Sequence, residues 1–178
     1  MVKVSFHGVD LNVTVAKRAM EVDNWINTTI GNHWHHLRDL VVGLDIEWHP
    51  NPPSTDFNNP AATLHLCIGN SCLIFQLLHR DYIPHSLLNF LACPLFTFVG
   101  VGVQDDAEKL FQDHGLIVRK TVDLRYLAAW VMDLKEFSRM GLKRMALEIL
   151  GQVMEKPLQV TLSDWDAKHL TFDQIEYG

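Results

Sequence analysis

Two carboxylates one residue apart, Asp45 and Glu47, are the part of this chain best placed to do chemistry. They sit in V-V-G-L-D-I-E-W (41–48), an apolar run that ends against His49-Pro50, the pattern of a buried strand meeting a breaker. Side chains alternate across a strand, so positions i and i+2 share a face with Cα atoms about 6–7 Å apart. Like charges that close repel unless a cation lies between them. A frayed strand with both acids in water is the alternative. Leu44, Ile46 and Trp48 take the opposite face, and the run is too apolar for a sheet edge, which favours a divalent metal site. A third acid is available in Asp105 or Asp106, which follow the apolar run 96–103 where a helix begins. Carboxylates are stabilised at helix N-termini, and open α/β sheets place ligands beyond strand ends. A simple cap with a first-turn acid would read the same way.

Other metal-type residues are less persuasive. His33, His35 and His36 crowd together in N-H-W-H-H (32–36), but no cysteine or acid lies at ligand spacing, so a solvated loop is expected. Cys67 and Cys72 flank a turn and read as core thiols. Three cysteines form an odd, sparse set that points to a reducing compartment and away from a disulfide framework.

The elements that would position these residues follow from periodicity. Residues 2–15 alternate on either side of His7-Gly8 and read as a β-hairpin, with Val9–Asp10 near the turn. Residues 20–30 suit a helix with Met20, Trp25 and Ile26 on its apolar face. After the strand at 41–48, residues 49–61 carry four of the seven prolines and read as a loop. The runs 62–69 and 72–78, joined by Asn70-Ser71, form an antiparallel hairpin. A helix is expected at 84–92 behind Pro84, and then a strand over 96–103. An amphipathic helix stopped by Gly115 follows, and a short strand at 116–122. Residues 123–154 have helical spacing until Gly151 and Pro157, and a last helix starts after Thr171. Three β-runs followed by alternating helix and strand describe a mixed-sheet α/β domain, expected to be single over 1–178.

Bulk properties narrow the function. The apolar fraction of 48% is ordinary, and no segment approaches the roughly 18 apolar residues of a membrane span. The N-terminus lacks the apolar core of a secretory signal, so an intracellular protein, nuclear or cytoplasmic, with no membrane partner is expected. Net charge is −6, so a nucleic-acid partner would have to be met locally or through bound metal.

The segments G-L-D-I-E-W, F-V-G-V-G-V-Q-D-D-A-E-K-L, G-L-K-R-M-A and W-D-A-K-H-L-T-F-D-Q-I-E-Y occur in an order that resembles the DEDDy 3′–5′ exonucleases. The likeness runs from about residue 40 to the end, with plant Werner-syndrome-type domains the nearest in kind. It implies a ribonuclease H-like fold: a mixed five-stranded sheet, its first three strands antiparallel, flanked by helices. It implies further that Asp45, Glu47 and Asp106 ligate Mg²⁺ or Mn²⁺ and that Tyr177 is catalytic. Asp105 would be an extra acid at the rim. Lys143, in G-L-K, is a candidate phosphate contact, although a solvated helix lysine reads identically. Leu44, Ile46 and Trp48 would wedge the last base of a DNA or RNA 3′ end.

In that chemistry two divalent cations about 3.5–4 Å apart activate a water and stabilise the leaving 3′-oxygen. Hard cations of this kind take oxygen ligands. A phenol, which ionises only near about pH 10, would orient the water rather than deprotonate it. The family's last aspartate would fall four residues after Tyr177, and the sequence stops after one. The last helix is therefore expected to be truncated, with a weakened second metal site and a tendency to form homo-oligomers over uncovered apolar surface. A non-catalytic member of the fold that binds nucleic acid or a protein partner is the alternative.

Overall fold

The computed structural model describes residues 1–50, 58–155 and 157–178. The middle of the expected proline-rich loop, residues 51–57, lies outside the described residues.

The chain opens with an antiparallel hairpin, β1 (Val2–Phe6) and β2 (Val9–Ala16). Its turn is His7-Gly8, both at positive φ (46° and 81°), as a two-residue hairpin turn demands. Val9 and Asp10, expected near the turn, already belong to β2. Helix α1 (Ala19–Asn32) buries Ala19, Val22, Trp25 and Ile26, whereas Met20 is 58% exposed and leaves the expected apolar face. Glu21 at the third helical position accepts from the backbone N–H of Arg18, which anchors the helix start. Residues 34–39 form a 3₁₀ turn rather than an open loop.

Strand β3 (Val41–Glu47) follows, with Val42, Leu44 and Ile46 buried on one face. It pairs antiparallel with β4 (Thr63–Ile68), which turns through Gly69-Asn70 into antiparallel β5 (Ser71–Gln76). The turn thus sits one residue earlier than expected, because Gly69 adopts φ 57° and supplies the left-handed position. After α2 (His85–Leu91), β6 (Thr97–Gly100) lies parallel to β3. Helix α3 (Val103–His114) leads into β7 (Thr121–Asp123), parallel to β6. The long helical region resolves into α4 (Leu124–Val131), a 3₁₀ turn at 135–139, and α5 (Leu142–Leu150). Two short helices complete the chain, α6 (Leu158–Thr161) and α7 (Phe172–Tyr177).

The sheet order is β1-β2-β5-β4-β3-β6-β7. Strands β3 to β7 are the expected mixed five-stranded core with its first three strands antiparallel. The N-terminal hairpin extends it to seven, because β2 docks parallel on β5. Strand β3 is interior, hydrogen-bonded on both sides, so its position is fixed by two ladders.

Leu44, Ile46, Leu64, Leu66, Phe75, Phe98 and Leu110 belong to one core cluster with Trp25, Ile26 and Phe90 from α1 and α2. Each such side chain contributes roughly 1.5–3 kcal/mol by burial. At the β3–β6 seam the backbones approach so closely that a Cβ on Gly100 would lie 2.5 Å from the Leu44 carbonyl oxygen. Glycine is therefore required there, and the strand stops at Gly100 rather than reaching 103. Gly102, at φ 79°, then turns the chain into α3.

Two expectations about cysteine and chain punctuation change. Cys67 and Cys72 face each other in the β4–β5 register, with Cα atoms 4.2 Å apart, and are joined as a disulfide. They are not free core thiols, so the cysteine-based argument for a reducing compartment falls away. Cys93 remains a free thiol. Asp133, at φ 54°, breaks the helical run after α4. Among the described residues, no helix is long and apolar enough to cross a membrane.

Candidate active site

Asp45 emerges from the middle of β3 onto the face opposite Leu44 and Ile46, exposed and directly across the ladder from His65. It opens into a cavity of about 430 Å³. Leu44, His65, Lys143, Glu155 and Tyr177 share that cavity wall with Asp45. Strands β3, β4 and β6 thus supply one side, and the starts of α5 and the end of α7 the other. The tight Gly100–Leu44 seam sets the floor, since any side chain at position 100 would push β6 away from β3.

Asp106 lies in the first turn of α3, half-buried, beside Asp105, which is exposed. Its carboxyl is pushed up to about 7, first by burial and then by the negative charges of Asp45, Asp105 and Asp123, with Arg125 opposing. Asp106 therefore lies near enough to Asp45, across the β3–α3 junction, to feel its charge. An excess of closely spaced negative charge marks a place where a cation would be stabilised.

Asp123 fixes that junction. Its buried carboxylate caps α4 by accepting from the backbone N–H of Arg125 at 2.8 Å. It also accepts from the N–H of Gly102 at 3.0 Å and from the Arg125 guanidinium at 2.6 Å. Burial alone would raise its pKa, but the Arg125 guanidinium and the two backbone donors hold it below the usual carboxylate range. The end of β7 is thereby tied to the turn that launches Asp106. Sequence reasoning missed this residue, and the D-L-R tripeptide (123–125) was its only trace.

Tyr177 sits at the end of α7, whose start is locked by a capping box between Thr171 and Gln174. The Gln174 amide also donates to the Ser163 hydroxyl at 2.9 Å and to the Asp164 carbonyl at 3.1 Å. Tyr177 packs on the fully buried Trp165, ring centroids 5.9 Å apart, and Trp165 in turn lies 5.6 Å from His65. Burial drives the His65 imidazole down to about 4, with the backbone of Gly178 pulling weakly the other way, so it is neutral at physiological pH. Thr63 Oγ1 lies 2.9 Å from its Nε2. His65 was overlooked in the sequence, yet Thr63, His65 and Cys67 alternate with Leu64, Leu66 and Ile68. The period of two placed a polar stripe on the site face.

Not every expected residue reaches the cavity. Leu44 and Ile46 are each 3% exposed within the core cluster on the other face of β3, and although Leu44 borders the cavity neither side chain has surface to offer a base. Trp48 packs against the same core and lies under the Lys109 ammonium, 5.0 Å from its ring centroid, so it anchors α3 instead. Glu47 is half-buried at the end of β3 and does not line the cavity. Among the described residues, the set whose ligand atoms all lie within 4.8 Å of one another is His49, Asp164 and Asp166, an exposed cluster that the sequence did not suggest. Asp45, Glu47 and Asp106 are not gathered that tightly. His33 and His35 belong to no such cluster among the described residues.

Comparison with known proteins gives this geometry a context. A sequence model described as 3′-5′ exonuclease matches residues 17–178. The "Exonuclease 3'-5' domain-containing protein 2" of Mus musculus is 37% identical over 146 residues, covering 78% of this chain and 22% of that protein. A "3'-5' exonuclease" of Arabidopsis thaliana is 29% identical over 169 residues, covering 92% of this chain and 55% of that protein. The chain therefore spans about a fifth to a half of the length of these two relatives. A crystal structure of the EXD2 exonuclease domain soaked in Mn superposes with a TM-score of 0.60 at 30% identity, over 93% of this chain and 81% of that one. The plant protein is less similar than the mouse one, so the expected likeness to plant Werner-type domains holds only at the level of the family.

Proposed function

Because the chain belongs to the 3′-5′ exonuclease family, we propose that it removes nucleotides from the 3′ end of a DNA or RNA strand by hydrolysis of the terminal phosphodiester. The carrying observation is the cavity in which Asp45, Lys143 and Tyr177 converge, with Asp106 near by, its carboxyl raised by burial and then by the charge of Asp45. Water would attack phosphorus, the 3′-oxygen of the shortened strand would leave and take a proton, and a nucleoside 5′-monophosphate would be released.

The acids form a hard-oxygen donor set, and the charge crowding at Asp106 fits a divalent cation. Asp45, Glu47 and Asp106, not gathered within 4.8 Å of one another here, would draw together to hold Mg²⁺ or Mn²⁺, the ions used to soak the EXD2 crystals. When bound, such ions supply water activation and stabilisation of the leaving oxygen. The chain's own residues do the rest. Lys143, at the start of α5, neutralises the terminal phosphate. Tyr177, held by Trp165 and the α7 capping box, orients the attacking water by hydrogen bonding. Neutral His65 and the buried Trp165 keep the floor under Asp45 dry.

A 5′-labelled single strand incubated with the protein in Mg²⁺ or Mn²⁺ tests this. A ladder shortening from the 3′ end, absent in EDTA and blocked by a 3′-terminal phosphorothioate, is the expected result. Binding of the strand without any ladder at enzyme excess would leave a non-catalytic nucleic-acid-binding protein instead.

A further inference from the structure

We propose that a second cavity, adjoining the first, is the track for the sugar–phosphate backbone of a single nucleic-acid strand. In it Lys135, Arg139 and Arg144 hold the phosphates on the 5′ side of the terminal nucleotide. This deepens the exonuclease reading and rests on it.

The second cavity has a volume of about 730 Å³ and meets the first at Gly141, which lines both. Three cations and one acid, Glu136, line it, a local excess of positive charge in a chain whose net charge is −6. Counterion release makes such a patch the place where an acidic protein meets a polyanion. The cations are exposed and available: Arg144 approaches Glu148 only at 3.7 Å across an exposed helix face, a pair that contributes little.

The junction between the cavities is also built for anions. Gly141 is the N-cap of the nine-residue helix α5 and offers no side-chain cap; the Arg144 N–H donates to its carbonyl at 3.1 Å, which leaves the N–H groups of Leu142 and Lys143 at the positive dipole end for an anion. Lys143 on one side of this helix end faces the first cavity, and Arg144 on the other faces the second. The platform beneath is rigid, because Phe137, Met140 and Met145 are buried together against Val101 and Ala128. A strand whose 3′ nucleotide lies beside Asp45 can leave the site only toward its 5′ side. The helix end and the three cations offer that path successive phosphate contacts.

The test is equilibrium binding in EDTA, where no turnover intervenes. Fluorescence anisotropy of a 5′-labelled 12-nucleotide strand, as DNA and as RNA, is followed from 50 to 200 mM NaCl. Wild type is compared with Lys135→Ala/Arg139→Ala/Arg144→Ala and with Lys3→Ala/Lys120→Ala/Lys168→Ala, exposed lysines that line neither cavity. Each single-strand phosphate contact adds about 0.7 to the slope of log K against log salt, so the track variant should lose about 2 and bind about a hundredfold more weakly at 0.1 M. The control should lose almost nothing, and Arg139→Lys should retain the wild-type slope. An unchanged slope in the track variant, an equal loss in the control, or displacement of the strand by polyglutamate at matched charge would overturn the proposal. Wild type that trims but binds independently of these cations sinks the track alone. Cation-dependent binding without trimming sinks the exonuclease reading alone.

Discussion

Replacing His65 by Leu should flatten the acid limb of the stability curve. Folded His65 stays neutral down to about pH 4, whereas the unfolded imidazole takes up a proton below about pH 6.5. Between those values the unfolded state binds more protons, so stability is present above about pH 6.5 and is lost as pH falls toward 4. The full loss is roughly 3 kcal/mol, and about 2 kcal/mol is already gone at pH 5. Asp106 acts in the opposite sense over much of the same range, because its raised carboxyl favours the folded state as it protonates. The quantity to measure is therefore the difference between wild type and His65→Leu, not the wild-type curve alone. Urea unfolding at pH 7.5, 6, 5 and 4.5, read by far-UV circular dichroism, supplies it. The variant will be less stable at pH 7.5 because the Thr63 contact is lost, yet the gap should narrow by about 2 kcal/mol at pH 5. A gap independent of pH would refute the buried neutral imidazole.

Other perturbations have equally definite outcomes. Asp106→Asn should stabilise the metal-free protein at pH 8, on the order of 1–2 kcal/mol, and less at pH 5; Mn²⁺ should raise the melting temperature of wild type and not of the variant. Asp123→Ala should cost about 2–3 kcal/mol in denaturant unfolding, since it removes the α4 cap and leaves the Gly102 N–H without its acceptor. Tyr177→Phe should lower kcat by about 10²-fold with KM nearly unchanged, as expected for a water-positioning hydroxyl, and steady-state kinetics would show it.

The chemistry-bearing strand was legible because two signals agreed. Asp45 and Glu47 shared a period-two face, and Val42, Leu44 and Ile46 filled the other. Thr171 announced the start of α7, and Gly115 ended α3 as its left-handed φ of 69° requires. What escaped depends on contacts between distant residues. Nothing in the local pattern of β2 says that it docks parallel on β5. The Cys67–Cys72 bond follows from cross-strand register, which moved by one residue once Gly69 took the turn. Leu44, Ile46 and Trp48 were assigned to the last base through the family resemblance; the same alternation that exposes Asp45 sends them into the core. His65 and Asp123 were hidden for a different reason. Buried polar residues are identified by the partners they find, and Gly102, Arg125 and Trp165 all lie on other elements.

The central claim is that Asp45, at the cavity between β3 and α5, carries 3′-end hydrolysis. Purified wild type and Asp45→Ala, at equal concentration in Mg²⁺ or Mn²⁺, are given 3′-recessed DNA and single-stranded RNA, and products are resolved at single-nucleotide length. Progressive shortening by wild type, reduced at least 10³-fold in the variant while its melting curve and strand binding persist, is the predicted result. Equal ladders from both proteins would contradict the account.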